Sequence, residues 1–212
     1  MKKAIVLLSG GLDSATTLYA AKKAGYKCLC LSFDYGQRHI KELRSAGQVA
    51  ASAGCAHKTI RIKLPWDNST LTGAVKSMRV NYSGRELPPT YVPGRNTVFI
   101  SFALSYAESV NAQTIFIGAN QVDFSGYPDC RAGYIAGWQK LINSLGVKIK
   151  ILAPLINMSK GEIIRKGLKL GVPYKLTWSC YSGARRPCGK CDSCRFRALG
   201  FKEAGTSDPA IK

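Results

Sequence analysis

The stretch Lys3-Ala4-Ile5-Val6-Leu7-Leu8-Ser9-Gly10-Gly11-Leu12-Asp13-Ser14 decides how the rest of the chain is read. Its first six residues form a short run suited to a strand, and residues 13–24 continue as a helix that stops at Gly25. Strand, glycine turn and helix place backbone N–H groups and the positive end of a helix around a small concavity suited to phosphate. Gly10 and Gly11 let the backbone approach an anion, Ser9 and Ser14 add hydroxyl donors, and Asp13 is a candidate to hold Mg²⁺ shared with the phosphates. Two glycines alone also make an ordinary turn with Asp or Ser capping a helix. The whole string, set between strand and helix, favours phosphate, so Leu8, Ser9, Gly10, Gly11, Leu12, Asp13 and Ser14 are the nucleotide-binding candidates. The loop is neither a Walker A motif, lacking its Gly-Lys-Ser/Thr ending, nor a dinucleotide fingerprint.

Outward from this point the alternation repeats. Residues 27–33 read as a strand, 38–53 as a helix closed by Gly54, and 57–63 as a strand, a βαβαβ rhythm that implies a parallel sheet. Residues 65–94 are polar, aperiodic and too long for a mere connection, which marks a functional loop. Then follow a mostly buried helix at 96–111, a strand at 114–117, a helix at 131–145 and a strand at 148–152. A helix at 159–170 opens on the capping-box pattern Ser159-Lys160-Gly161-Glu162 and stops at Gly171. From Thr177 the chain is rich in Cys, Arg and Gly without a long apolar run, and it is expected to need a metal to hold its shape. The expected fold class is α/β, an open and mostly parallel Rossmann-like sheet flanked by helices, with a nucleotide-binding domain at 1–176 and a small metal-binding region at 177–212.

With 212 residues, 46% of them hydrophobic, the chain can bury a sizeable core. The apolar run after Lys2 and Lys3 is too short for a secretion signal, and no apolar stretch approaches the ~20 residues that span a bilayer, so a cytosolic protein without membrane contact is expected. The formal charge of +19 fits a nucleic-acid partner, a solvated basic surface or anionic substrates equally well.

Eight cysteines in a reducing compartment direct attention to metal binding rather than disulfides. Cys180, Cys188, Cys191 and Cys194 form C-x7-C-x2-C-x2-C, thiols close enough to converge on one tetrahedral ion. One structural Zn²⁺ is the expected species; an iron–sulfur cluster and a free redox pair at Cys188 and Cys191 are the competing readings. Cys28, Cys30 and Cys55 read as small core residues, and Cys130 lies in a loop whose role stays open.

The Ser-Gly-Gly-x-Asp-Ser loop directly after the first strand resembles the pyrophosphatase-loop (PP-loop) superfamily, whose members split ATP between its α and β phosphates. Four further strings narrow the branch: Tyr35-Gly36-Gln37-Arg38-His39, Tyr91-Val92-Pro93-Gly94-Arg95-Asn96, Asp123-Phe124-Ser125-Gly126-Tyr127-Pro128-Asp129-Cys130-Arg131 and Trp178-Ser179-Cys180-Tyr181. Together with the four cysteines they look like the 7-cyano-7-deazaguanine synthase family, over residues 4–197. The resemblance implies an ATP-dependent carbon–nitrogen ligase that converts 7-carboxy-7-deazaguanine and ammonia to the nitrile through an adenylate and an amide, with ATP and Mg²⁺ as co-substrate. It implies Arg38 and Arg95 for charge stabilisation, His39 for proton handling, and Tyr35, Gln37, Asn96, Asp123, Tyr127, Asp129 and Arg131 for the substrate. It also implies phosphate contact for Lys160, a possible homodimer and no need of nucleic acid. A tRNA-modifying PP-loop enzyme, thiolating or lysidine-forming, and a non-enzymatic zinc module that binds nucleic acid remain as alternatives.

Overall fold

The computed structural model describes residues 1–37, 40–64, 69, 71–72, 81–82, 85–122, 126–182 and 186–210. Five parallel strands form the central sheet: β1 (Lys3–Leu7), β2 (Lys27–Asp34), β3 (Ala56–Arg61), β6 (Thr114–Phe116) and β7 (Lys150–Leu152), in the order β3-β2-β1-β6-β7. A two-stranded antiparallel ribbon, β4 (Asn81–Tyr82) with β5 (Arg85–Glu86), lies within the long polar stretch. The helices are α1 (Leu12–Lys23), α2 (Lys41–Ser52), α3 (Arg95–Ser109), α4 (Ala132–Ser144), α5 (Lys160–Lys169) and α6 (Asp192–Glu203).

β1 shows why both faces of the sheet are covered. Ala4 and Val6 enter one apolar cluster, with residues of α1, α2, α5 and α6, while Ile5 and Leu7 enter another, with residues of α3 and α4. Period-two alternation with every position apolar belongs to a central parallel strand. β1 lies between β2 and β6, so the chain runs outward in one direction through β2 and β3 and in the other through β6 and β7. The crevice at the carboxyl ends of β1 and β6 is therefore the switch point where ligands of such sheets bind.

The expected alternation is present, with shifted ends. The second helix starts at Lys41, residues 38 and 39 falling outside the described residues, and the last strand starts at Lys150 rather than 148. The tail differs more: where no helix was read, α6 runs for 12 residues and buries Cys194, Arg197, Gly200 and Phe201. Phe201 joins the apolar cluster of α1 and α5. Its neighbours in sequence are charged or small, so its burial depends on contacts with α5 that no local pattern carries.

The contact between α5 and α6 is unusually close. A Cβ on Gly200 would meet Cγ of Lys160 at 2.2 Å, and one on Gly161 would meet Cδ of Glu203 at 2.4 Å. Glu203 takes up the space, accepting from the Ser159 hydroxyl at 2.5 Å and the Gly161 N–H at 3.1 Å. The capping box is formed as read: Ser159 Oγ accepts from the Glu162 N–H, and Glu162 accepts from the Ser159 N–H. No helix among the described residues is long and apolar enough to cross a membrane.

Candidate active site and metal centre

The glycine loop sits at the carboxyl end of β1. Gly10 has φ +82°, and a Cβ there would meet the Glu42 carbonyl oxygen at 2.2 Å, so neither the conformation nor the space admits a larger residue. Ser14 Oγ accepts from the Ser9 N–H at 3.2 Å, lies 3.0 Å from Ser9 Oγ, and donates to the Gly11 carbonyl at 3.1 Å. This small network fixes the turn and leaves the first turn of α1 facing a cleft of about 340 Å³. On the β6 side, Gly118 brings its backbone so near that a Cβ would stand 3.0 Å from the Ser14 N.

Leu8, Ser9, Gly11, Leu12, Asp13 and Ser14 all line the cleft. So do Tyr35, Arg95, Asn96, Tyr127 and Lys160, which come from four other places in the chain. Gly10 does not line it and works as the turn's pivot. The sequence paired Asp13 with Mg²⁺ and Lys160 with phosphate; in the structure they hold each other, Lys160 Nζ lying 2.8 Å from both carboxylate oxygens. Their side chains are 29% and 14% exposed, so the pair is screened less than a surface ion pair.

Arg95 opens α3 and donates to the Tyr35 hydroxyl at 3.2 Å. Burial works against its charge, but Tyr35, Asp129 and Tyr127 outweigh it and hold the guanidinium above its ordinary range. Asp129 is buried beneath; it accepts from the Asn96 N–H at 3.2 Å, and the Asn96 side chain donates to the Asp129 carbonyl at 3.1 Å. Burial pushes the Asp129 carboxyl up, while Arg95 and the Asn96 N–H pull it back. Tyr127 pairs its hydroxyl with Thr90 at 2.6 Å.

Three expected substrate residues do not line the cleft: Asp129, buried as just described, Gln37 and Arg131. Gln37 is buried with its amide committed inward: Oε1 accepts from the Tyr35 N–H at 2.7 Å, and Nε2 donates to the Phe33 carbonyl and to Glu42, each at 3.1 Å. Arg131 is exposed at the start of α4 and is not among the lining residues. Arg38, His39 and Asp123 lie outside the described residues.

Several lining residues carried no sequence signal. Glu42 is one: burial pushes its carboxyl up, opposed by Arg95 and the Gln37 hydrogen bond. Phe33 and Phe99 stack at 4.1 Å with planes 4° apart and give the cleft a flat aromatic wall. Trp178, by contrast, belongs to a string that the sequence singles out; it closes the phosphate loop, its backbone N–H donating to the Gly10 carbonyl at 2.9 Å. Buried Arg197 reaches the cleft while bonded to Asp208 at 2.6 and 2.9 Å and to Thr177 Oγ1 at 2.8 Å.

Cys180, Cys188, Cys191 and Cys194 converge, each pair of sulfurs within 4.8 Å. A tetrahedral ion with sulfur ligands at about 2.3 Å places them about 3.8 Å apart, so the cluster fits a metal with a small contraction of the sulfurs. Backbone amides face the sulfurs: Cys180 Sγ accepts from Ser182 and Cys188 at 3.3 and 3.2 Å, and Cys188 Sγ from Lys190 and Cys191 at 3.4 Å each. Those last two amides hold the Cys188 thiol down at about 6, whereas burial first and then its cysteine neighbours push the Cys194 thiol up. Cys130 is raised too, since burial first and then Asp129 push its thiol up to about 12.

The profile of the family described as "Queuosine biosynthesis protein QueC" matches residues 3–205. A Nostoc relative named 7-cyano-7-deazaguanine synthase is 50% identical over 220 residues, covering 98% of this chain and 96% of its own. One of the same name from Clostridium kluyveri is 49% identical over 220 residues, covering 99% and 97%. Among solved structures, a 4-thiouridine synthetase–RNA complex with bound ATP superposes with a TM-score of 0.51 at 19% identity, over 96% of this chain and 50% of that one. That likeness speaks for the fold alone.

Proposed function

The chain belongs to the family described as queuosine biosynthesis protein QueC, and from this premise we propose that it converts 7-carboxy-7-deazaguanine and ammonia to 7-cyano-7-deazaguanine, with ATP as co-substrate. The observation that carries the reading is that the family match spans residues 3–205 while the phosphate loop, Arg95, Asn96 and Tyr127 face one cleft.

The reaction needs two activations. ATP first adenylates the carboxylate, and ammonia displaces AMP to leave the amide; a second ATP activates the amide oxygen, whose departure leaves the nitrile. In both, charge develops at the α-phosphorus and on a leaving pyrophosphate, so positioning and fixed donors supply most of the catalysis. The amides of the glycine loop and the start of α1 hold the pyrophosphate. Arg95, kept charged and aimed by Tyr35 and Asp129, stabilises the carboxylate and the oxygen that leaves. Asp13 would hold the Mg²⁺ that accompanies ATP, which would offset charge on the phosphates, and Lys160, now paired with Asp13, would contact the phosphates. The stacked wall of Phe33 and Phe99 suits a flat heterocycle. Cys180, Cys188, Cys191 and Cys194 hold one structural Zn²⁺, which cross-links the C-terminal segment.

A thiolating enzyme would need a reactive thiol beside the ATP site. Cys130 is the one cysteine outside the four-cysteine cluster that lines the cleft, and its raised thiol is a poor nucleophile. A mass-spectrometric time course with ATP, Mg²⁺, ammonia and 7-carboxy-7-deazaguanine tests the reading. Amide followed by nitrile, with AMP, is the expected result; ATP cleavage that requires tRNA would overturn it.

A further inference from the structure

Beside the main cleft lies a second, much smaller chamber of about 30 Å³. Tyr35, Glu42, Arg95 and Tyr181 line both spaces, so the two adjoin, whereas Gln37, Leu71 and Cys180, one of the four clustered cysteines, face the chamber alone. A space of this size takes one molecule of about the dimensions of water or ammonia and refuses a ring or a phosphate.

Its polar wall is asymmetric. Gln37 is locked by the Phe33 carbonyl and the Tyr35 N–H, and gives its remaining amide hydrogen to Oε1 of Glu42 at 3.1 Å. Among the described residues, that is the one hydrogen bond Glu42's side chain receives. Arg95, which also lines the chamber, donates to the Tyr35 hydroxyl at 3.2 Å. The chamber thus offers a carboxylate acceptor, held in place by a fixed amide, to a very small donor, next to the arginine that faces the reacting carboxylate.

We propose that this chamber is the nitrogen subsite, in which ammonia rests with its N–H groups on the Glu42 carboxylate before it enters the cleft. The assignment rests on the ligase reading given above. The step it serves is balanced without a further reagent. The ammonia lone pair forms the C–N bond at the carbonyl carbon of the adenylate, the C–O bond to the phosphate breaks, AMP leaves with the electron pair, and the surplus proton passes to water. The chamber also acts as a size filter, because methylamine carries a methyl group for which a one-molecule space has no room.

Three measurements on the full chain test this. Glu42→Gln removes the anionic acceptor, and Leu71→Phe fills the chamber from a side that does not touch the cleft. In both, KM for ammonium is expected to rise at least about tenfold, with kcat at saturating ammonium and KM for ATP changed much less. Methylamine is the third probe. Wild-type protein should make no N-methyl amide, and Leu71→Ala, which enlarges the chamber, should make it. Carboxylate-dependent ATP–pyrophosphate exchange, which needs no ammonia, separates the two levels. If wild-type protein lacks that exchange, the ligase reading itself fails. If exchange is present and both substitutions leave KM for ammonium unchanged, the chamber is not the nitrogen subsite.

Discussion

Substituting Gly200 by alanine adds one methyl group where two helices touch, and the structure says how that methyl group is received. In isolation the change would favour the protein by about 0.5–1 kcal/mol, because alanine stiffens the unfolded chain and suits a helix. Here the new Cβ meets Lys160 Cγ at 2.2 Å, Lys160 Cβ at 2.9 Å and Ile164 Cδ1 at 3.0 Å. The first two atoms sit at the root of the lysine, so the clash is relieved only by moving α6 or swinging the whole side chain. Overpacking of this kind costs about 1–3 kcal/mol, and a clash with the root of a side chain belongs to the upper part of that range, about 2–3 kcal/mol, which leaves a net loss of about 1–2.5 kcal/mol. For a chain of this size that is a fall in Tm of about 2–10 °C. Swinging Lys160 also takes its Nζ from the mouth of the phosphate loop, and the loss of about 1 kcal/mol of phosphate contact should raise KM for ATP about fivefold. Differential scanning calorimetry and ATP–pyrophosphate exchange read the two effects. Gly137→Ala is the control: it is exposed in α4 with nothing within 4 Å of its added Cβ, and it should raise Tm. If Gly200→Ala is as stable as wild type, the α5–α6 contact is softer than described and the argument fails.

Four other outcomes are expected. Asp13→Ala should abolish AMP formation while zinc content stays near one per chain; normal turnover would remove the role given to the loop. Cys191→Ala should lower zinc content and stability together, read by metal analysis and thermal melting, and a variant that keeps its Tm without metal would contradict a structural site. Asp208→Asn leaves Arg197 charged and buried without its bidentate partner, side chains that are 6% and 7% exposed, and should cost about 3–5 kcal/mol in urea unfolding. Asp129 has a folded-state carboxyl raised by burial, so its contribution to stability is present at low pH and lost as pH rises from the ordinary carboxylate value through the raised one. Wild-type urea midpoints should therefore decline relative to those of Asp129→Asn as pH rises above about 4; parallel profiles would show that Asp129 titrates as in the unfolded chain.

What could be read from the sequence follows from how local each signal is. The glycine loop, the βαβ rhythm and the capping box at Ser159 are set by residues within a few positions of one another, and each stands where it was read. The four cysteines likewise converge, because ligands three and eight residues apart are close in almost any compact conformation. Glu42, Phe33 and Phe99 were not legible: they meet through the pairing of distant elements, and nothing beside them in sequence distinguishes a wall of the cleft from ordinary core. Gln37 fails for the opposite reason. Its string marks a loop near the site, but only the positions of Phe33, Tyr35 and Glu42 decide that its amide points inward. α6 was missed because its burial comes from Gly200, a residue that counts against a helix by propensity and that is required here by the approach of Lys160.

That same contact ties the metal centre to the ATP site. Cys191 caps α6 at its N-terminus and Cys194 lies in its first turn, so the four-cysteine cluster fixes where the helix begins. Two turns later Gly200 rests on Lys160, whose Nζ holds Asp13 at the mouth of the phosphate loop. A second route runs through Cys180: its carbonyl accepts from the Trp178 indole at 2.9 Å, and the Trp178 N–H holds the Gly10 carbonyl. A metal held by the four cysteines would thereby be coupled to the loop's geometry through two short chains of contacts. Progressive removal of zinc should therefore raise KM for ATP before the protein unfolds, because the α6 N-terminus and the Trp178 turn loosen ahead of the sheet, whose core of Ile5, Leu31 and Ile115 holds without them.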